Sequence, residues 1–394
     1  MNLELNPDFI KKYFRRGPRY TSYPTAVVWN ESFHADDFCL SLKEADKKNE
    51  PLSLYIHIPF CHSMCYYCGC NTTITKNQDK AEKYLEHLKE EMRLVCSYLP
   101  HRRQVGQLHF GGGTPTFLNN EQFSDIMNGI HSYFQLTESA EVSVEIDPRV
   151  TSREQVYHLK NLGFNRISMG VQDFTKKVQE AIHRIQSREC VEELTSAAKE
   201  CGFQSINFDL IYGLPHQTIE NFHDTAKAVC VLRPDRIALF GYAHVPWKKT
   251  HQKKIDSSAL PSPVERLGLL LHTSNLLQNE GYKSIGMDHF SLEDDELYQA
   301  SLNRTLHRNF QGYTIKSFET LGFGVSSISF MNNSFSQNER NLSPYYSRIE
   351  SGNLPVIVGH KLNNDDIIRQ YVIEQLMCNF YLSYENFEKK FQIP

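Results

Sequence analysis

Six short apolar runs, rich in β-branched and aromatic residues, recur between residues 52 and 243, and each is followed by a segment of helical period. They are LSLYIHI (52–58), VGQLHF (105–110), EVSVEID (141–147), NRISMG (165–170), QSINFDLI (204–211) and DRIALFGYA (235–243). Between the first two lies DKAEKYLEHLKEEMRLVCSYL, where Tyr84, Leu85, Leu88, Met92 and Val95 fall on one helical stripe. Strands that alternate with helices in this way pair in parallel, because a parallel neighbour is reached only by a crossover. The spacing predicts an α/β fold, either a doubly wound open sheet or a whole or partial βα barrel.

In a βα barrel the chemistry gathers at the C-terminal ends of the strands. Here those ends carry unusual residues. The first run leads into cysteines and the second into Gly111-Gly112-Gly113-Thr114-Pro115. The third ends at Glu145 and Asp147, the fourth near Gln172 and Asp173, the fifth at Asp209, and the sixth at Tyr242 and His244. Polar and glycine-rich residues collected at one rim favour a barrel mouth as the active site.

Composition narrows the class. A formal net charge of -4 lacks the basic excess of nucleic-acid binders. The N-terminal MNLELNPDFIKKYF has no apolar core of a secretory leader, and no stretch approaches 18 uninterrupted apolar residues. A cytoplasmic location with no membrane span is expected, and the ten cysteines should be reduced thiols.

Four of those cysteines crowd into IPFCHSMCYYCGC (58–70): Cys61, Cys65, Cys68 and Cys70. One helical face would suit the first three, but Pro59 before the run and Gly69 inside it oppose a helix. A structural zinc site usually takes two ligand pairs from separate knuckles, which four thiols in ten residues fit poorly. An iron–sulfur cluster fits better, since thiolates on a short irregular loop can reach separate irons. With three protein ligands on a four-iron cluster, one iron stays open to a substrate. GGGTP at 111–115 adds backbone that a small zwitterion can approach closely.

The three-cysteine spacing resembles the signature of the radical S-adenosylmethionine enzymes. Further segments resemble one family among them, the oxygen-independent coproporphyrinogen III oxidases. These are GPRYTSYPTA (17–26), YIHIPFCHSMCYYCGCN (55–71), LHFGGGTPT (108–116), EIDPR (145–149), GFNRISMGVQDF (163–174), NFDLIYGLP (207–215), GMDHF (286–290) and HRNFQGYT (307–314). The resemblance runs from about residue 13 to the end. Cys70 is its most discriminating residue, because the related haem chaperones typically carry Phe there and lack the RYTSYPT block.

The resemblance implies a partial (β/α)6-type barrel with an N-terminal extension and a partial C-terminal helical region. It also implies a reaction, the oxidative decarboxylation of two propionates of coproporphyrinogen III to vinyl groups under anaerobic conditions. Cys61, Cys65 and Cys68 would ligate a [4Fe-4S] cluster, with Cys70 beside it as a non-ligand catalytic residue. Two molecules of S-adenosyl-L-methionine are implied. Tyr55, Gly112, Glu145 and Ile328 match the positions that hold the one at the cluster. Tyr67, Gly113, Thr114, Gln172, Arg184, Asp209 and Ala243 match those of the second. An electron donor and an acceptor must come from outside, and a monomer is expected.

For the four carboxylates of the substrate, Arg15, Arg16 and Arg19 near Tyr20, and His307 with Arg308, are candidate contacts. Residues 1–50 read as an N-terminal extension near the barrel mouth, 51–255 as the partial barrel, 256–360 as elements completing it, and 361–394 as the start of a helical domain. Family members continue beyond this endpoint, so the C-terminus reads as truncated, which bears on turnover. Two alternatives remain open: another haem-pathway radical protein, such as a haem chaperone or a haem-degrading methyltransferase, and an inactive cluster-binding copy.

Overall fold

The computed structural model describes Lys12 and residues 22–393. After helix α1 (Ala35–Ala45), strands form where the apolar runs predict them. They are β1 (Leu52–Ile58), the two-residue β2 (Phe60–Cys61) and β3 (Thr73–Ile74), β4 (Gln104–Gly112), β5 (Gln135–Ile146), β6 (Arg166–Gln172), β7 (Ser205–Tyr212) and β8 (Arg236–Gly241). The crossovers carry α2 (Asp79–Ser97), α3 (Asn120–Tyr133), α4 (Arg153–Asn161), α5 (Lys176–Ala181), α6 (Arg188–Glu200) and α7 (Ile219–Leu232). Side-chain signals start several helices: Asn119 and Gln122 form a capping box on α3, and Thr218 and Asn221 form another on α7.

β1 and β4 to β8 pair in parallel in chain order. Period-two alternation decides which side chains go where. Leu54, Ile56, Leu108, Phe110, Val142, Val144, Ile167, Met169, Phe208, Leu210, Ile237 and Leu239 are buried in one apolar core with the stripe residues of α2. Each such side chain contributes about 1.5–3 kcal/mol on burial. The intervening residues line the interior: Tyr55, His57, His109, Glu145, Ser168, Gln172, Asp209 and Phe240. That inner layer is mostly polar, so the barrel holds cavities where a packed one would hold aliphatic side chains.

The rest of the chain extends both edges of this sheet. Helix α8 (Pro263–Asn279), capped by Ser262 and Glu265, precedes β9 (Lys283–Ile285) and β10 (His289–Ser291). β10 pairs antiparallel with β8. Next come α9 (Glu296–Leu302), the small hairpin of β11 (His307–Asn309) and β12 (Gly312–Thr314), and β13 (Thr320–Phe323), which pairs in parallel with the free edge of β1. β14 (Ile328–Met331), β15 (Ser334–Asn338), α10 (Leu342–Glu350) and β16 (Val356–Lys361) continue an antiparallel meander. One twelve-stranded sheet results, and the chain closes with α11 (Asn364–Asn379) and α12 (Tyr384–Phe391).

The stretch LGFGVSSISFMNNSFSQN, outside the six runs that mark the barrel strands, forms β13, β14 and β15. Its alternation is masked because both faces are covered, with Phe335 stacked on Trp29 at 5.1 Å and α1 packed on the other side. Among the described residues, no helix is long and apolar enough to cross a membrane.

Candidate active site

The cysteine loop leaves β1 at Pro59 and returns through β3, and it is held against the glycine strand end by main-chain bonds. Gly113 N–H donates to Ile58 O at 2.8 Å, and Thr114 N–H to Phe60 O at 2.9 Å. The approach is close: a Cβ on Gly113 would meet the carbonyl of Pro59 at 2.7 Å, and one on Gly112, whose φ is +116°, would meet the His57 ring at 2.6 Å. These glycines therefore serve first to bring the loop and the barrel end together.

Cys61, Cys65, Cys68 and Cys70 line one cavity of about 230 Å³ together with Tyr67, Gly112, Gly113, Thr114, Gln172, Arg184 and Asp209. A second cavity of about 500 Å³ adjoins it through Cys70, Gly112 and Glu145, and is lined also by Tyr55, His57, Asn309, Phe310 and Ile328. The residues expected for the ligand at the cluster line the larger space, with Gly112 and Glu145 shared, and those expected for the second ligand line the smaller one. Ala243 alone stands outside both. It is exposed just past β8, and its carbonyl accepts a hydrogen bond from Gln252 Nε2, which also reaches Tyr67 O. Cys70 lies on the wall between the spaces, exposed to them.

Each of the other three sulfurs has a polar neighbour. Cys65 Sγ is approached by Arg149 Nη2 at 3.4 Å and Arg184 Nη1 at 3.7 Å. Cys68 Sγ accepts from the Cys70 N–H at 3.4 Å, and Cys61 Sγ lies 3.3 Å from Thr114 Oγ1. The hydrogen bond with Cys70 brings the Cys68 thiol down to about 6, while burial pushes the Cys61 thiol up to about 12. A metal that replaces the proton overcomes this reluctance, because ligand thiols are bound deprotonated. Among the described residues, no three His, Cys, Asp or Glu side chains converge as the ligands of one ion would. Three spaced thiols with hydrogen-bond donors at their sulfurs fit a multi-iron cluster better than a single ion.

The carboxylates around these spaces are differently tuned. Glu145 accepts from Gly112 N–H at 3.2 Å and lies 3.3 Å from His109 Nε2. Burial raises its pKa, but His109 and the Gly112 N–H outweigh that and hold it below the ordinary value. Asp209 accepts from Asn207 Nδ2 at 2.9 Å and Ser168 Oγ at 3.3 Å, yet burial, with Glu145 nearby, pushes it up to about 7.

Two functional residues escaped the sequence reading. Asp147 and Arg149 were visible in EIDPR but carried no assigned role. Asp147 shares the inward register of Glu145 and receives both Arg184 Nη1 and Nη2, at 3.1 and 3.2 Å, and Arg149 Nη2 at 2.6 Å. Burial works against its charge, but Arg184 and Arg149 bring its pKa down to about 2. Arg184, which matches a position holding the second S-adenosylmethionine, is here forked onto this carboxylate. The signal available in sequence was the alternation itself, which puts Glu145 and Asp147 on one face.

Other rim residues turn out differently. Asp173 faces away from the cavities and ties loops together, accepting from Gln217 Nε2, Thr175 N and Thr225 Oγ1. His307 pairs with Glu374 at 2.7 Å, and Arg308 is buried over the Tyr313 ring, so neither offers an open cation. Arg15, Arg16, Arg19 and Tyr20 lie outside the described residues.

A cysteine loop at the mouth of an open parallel barrel, with a glycine strand end against it, defines the radical SAM class, and residues 55–229 match the radical SAM superfamily. A solved coproporphyrinogen III oxidase from Escherichia coli, described as a radical SAM enzyme, superposes with a TM-score of 0.93 at 44% identity, covering 100% of this chain and 88% of the other. The oxygen-independent coproporphyrinogen III oxidase of Synechocystis sp. is 43% identical over 99% of this chain and 84% of its own length. That of E. coli is 46% identical over 98% and 84%. The chain belongs to the oxygen-independent coproporphyrinogen III oxidase family. Its cofactors are accordingly a [4Fe-4S] cluster and S-adenosyl-L-methionine. These alignments take in nearly the whole of this chain and 84% of each relative's own length.

Proposed function

We propose that this protein oxidatively decarboxylates two propionate groups of coproporphyrinogen III to vinyl groups, giving protoporphyrinogen IX without oxygen. The observation that carries the reading is the meeting of the Cys61, Cys65 and Cys68 loop with Gly112–Thr114 around one cavity, which adjoins a second through Cys70, Gly112 and Glu145, in a chain so close to named oxidases. When bound, the cluster and S-adenosylmethionine supply a carbon radical that abstracts hydrogen. Cys61, Cys65 and Cys68 hold the cluster, and the guanidinium N–H groups at Cys65 offset thiolate charge.

Tyr55, Gly112, Glu145 and Ile328 form the cradle of the S-adenosylmethionine at the cluster. There Glu145, kept ionised by His109, accepts from hydroxyl or ammonium groups. Tyr67, Gly113, Thr114, Gln172, Arg184 and Asp209 form a second cradle, with Ala243 at its outer margin. Asp209, near neutrality, can accept or donate a hydrogen bond at working pH. Cys70 stands between the two cradles and acts on the reacting groups without holding iron. The protein works as a monomer in the cytoplasm, with an external donor supplying electrons and an external acceptor removing them.

Anaerobic loading with iron and sulfide, followed by incubation with coproporphyrinogen III and S-adenosylmethionine, tests this. Vinyl product is expected. Haem binding or haem cleavage without vinyl product would instead assign the chain to a relative's activity. Cys70→Ser should keep the cluster's absorbance and lose vinyl formation, and loss of the cluster in that variant would contradict its role as a non-ligand.

A further inference from the structure

The segment Trp247–Lys254, WKKTHQKK, carries Lys248, Lys249, His251, Lys253 and Lys254 with no acid among them, in a chain whose net charge is -4. It follows β8 and lies on the cysteine loop. Lys249 Nζ donates to Cys70 O at 3.0 Å, His251 Nε2 lies 2.8 Å from Cys68 O, and Gln252 Nε2 donates to Tyr67 O at 3.0 Å. Lys254 Nζ sits 5.0 Å over the Tyr66 ring, and His183 stacks on that ring at 4.9 Å. Tyr66, Tyr67, Cys68 and Cys70 are therefore all contacted by this segment or by His183.

Lys248, Lys253 and Lys254 are exposed, and Trp247 beside them is 57% exposed. Among the described residues none of the segment's four lysines enters an ion pair, and no acid lies within the segment to offset them. An ordinary solvated face interleaves acids with its lysines and need not touch a redox loop. This one keeps its charge uncompensated directly above two of the cluster-loop cysteines.

We propose that this face docks an acidic, low-potential, one-electron flavin carrier protein and passes its electron to the cluster through the Tyr66–Cys70 loop. The inference rests on the cluster chemistry of the proposed function. In the transfer the carrier's centre loses one electron and the oxidised cluster gains one; no covalent bond forms or breaks. A concentrated positive patch steers an acidic partner and orients it, and both effects weaken with salt. An exposed tryptophan amid the lysines supplies the aromatic contact that such interfaces favour.

The test uses cluster-loaded protein and an acidic flavodoxin as the probe, at low and at raised ionic strength. Binding of the oxidised flavodoxin is measured by titration, and cluster reduction by the reduced flavodoxin is followed by stopped-flow bleaching. The variant Lys248→Glu/Lys253→Glu/Lys254→Glu should weaken binding at least tenfold at low salt, flatten the salt dependence and slow reduction. The control Lys43→Glu/Lys227→Glu/Lys361→Glu, with the same charge change elsewhere, should stay within twofold of the unaltered protein. Dithionite, too small to need docking, should reduce all three proteins to the same extent. Undetectable flavodoxin binding by the unaltered protein, or equal losses in variant and control, would overturn the proposal. A protein that binds and accepts electrons in this way yet makes no vinyl product would sink the proposed reaction and leave the docking face standing.

Discussion

At Gly113 a single absent carbon holds the cysteine loop to the barrel. The carbonyl of Pro59 occupies the space a Cβ would need, at 2.7 Å, and backbone cannot swing aside as a side chain can. Gly113→Ala should lower stability by about 1–3 kcal/mol through overpacking and reduce bound iron by at least half after reconstitution, as read by thermal melting and iron analysis. Asp209 offers a second residue-level test. Its folded pKa of about 7 lies above its unfolded value, so its favourable contribution is complete at low pH and is lost as pH rises through about 7. In cofactor-free protein, Asp209→Asn should remove that loss. Urea unfolding of the variant should show about 1–3 kcal/mol more stability than the parent at pH 8 and little difference near pH 4. Equal stabilities at pH 8 would mean that Asp209 is ionised without strain.

Between elements, the buried Glu91 of α2 joins the barrel to its added strands. It accepts from Gly324 N–H at 2.8 Å, Tyr345 Oη at 2.7 Å and Asn338 Nδ2 at 2.6 Å, despite burial that pushes its own pKa up to about 7. Tyr84, about two helical turns earlier, accepts from Val325 N–H and donates to His57 O. Together they fix the turn that carries Ser326, Ser327 and Ile328 to the larger cavity. Glu91→Ala strands three buried donors and should cost about 1–3 kcal/mol each way the network fails to repair itself. Displacement of the turn should raise the KM for S-adenosylmethionine more than it lowers kcat, and steady-state kinetics would show the split. A variant with unchanged KM would reduce Glu91 to a purely structural tie.

Across the whole molecule, the cysteine loop is the part most dependent on what it binds. Its Tyr66 and Tyr67 pack against a small satellite cluster of Val178, Ile182, Leu214, Tyr242 and Ile255, while the twelve-stranded sheet beneath is anchored by the continuous main core. Removal of iron by an anaerobic chelator should speed amide exchange in residues 62–70 by tenfold or more and leave β4 to β7 protected. Loss of protection throughout the sheet would show instead that the cluster is needed for the fold.

The six parallel strands were legible because most alternate apolar and polar residues, as in Glu141-Val142-Ser143-Val144-Glu145-Ile146, and each is spaced by a helix-length crossover. The cysteine loop and glycine strand end were legible for a related reason: both are local in sequence. Tertiary structure alone decided that β13 would take the free edge of β1, that Arg184 would fork onto Asp147, and that His307 and Arg308 would meet Glu374 and Asp288. Local pattern sets which way a side chain faces, but the partner it meets lies tens or hundreds of residues away and is fixed only when the sheet assembles.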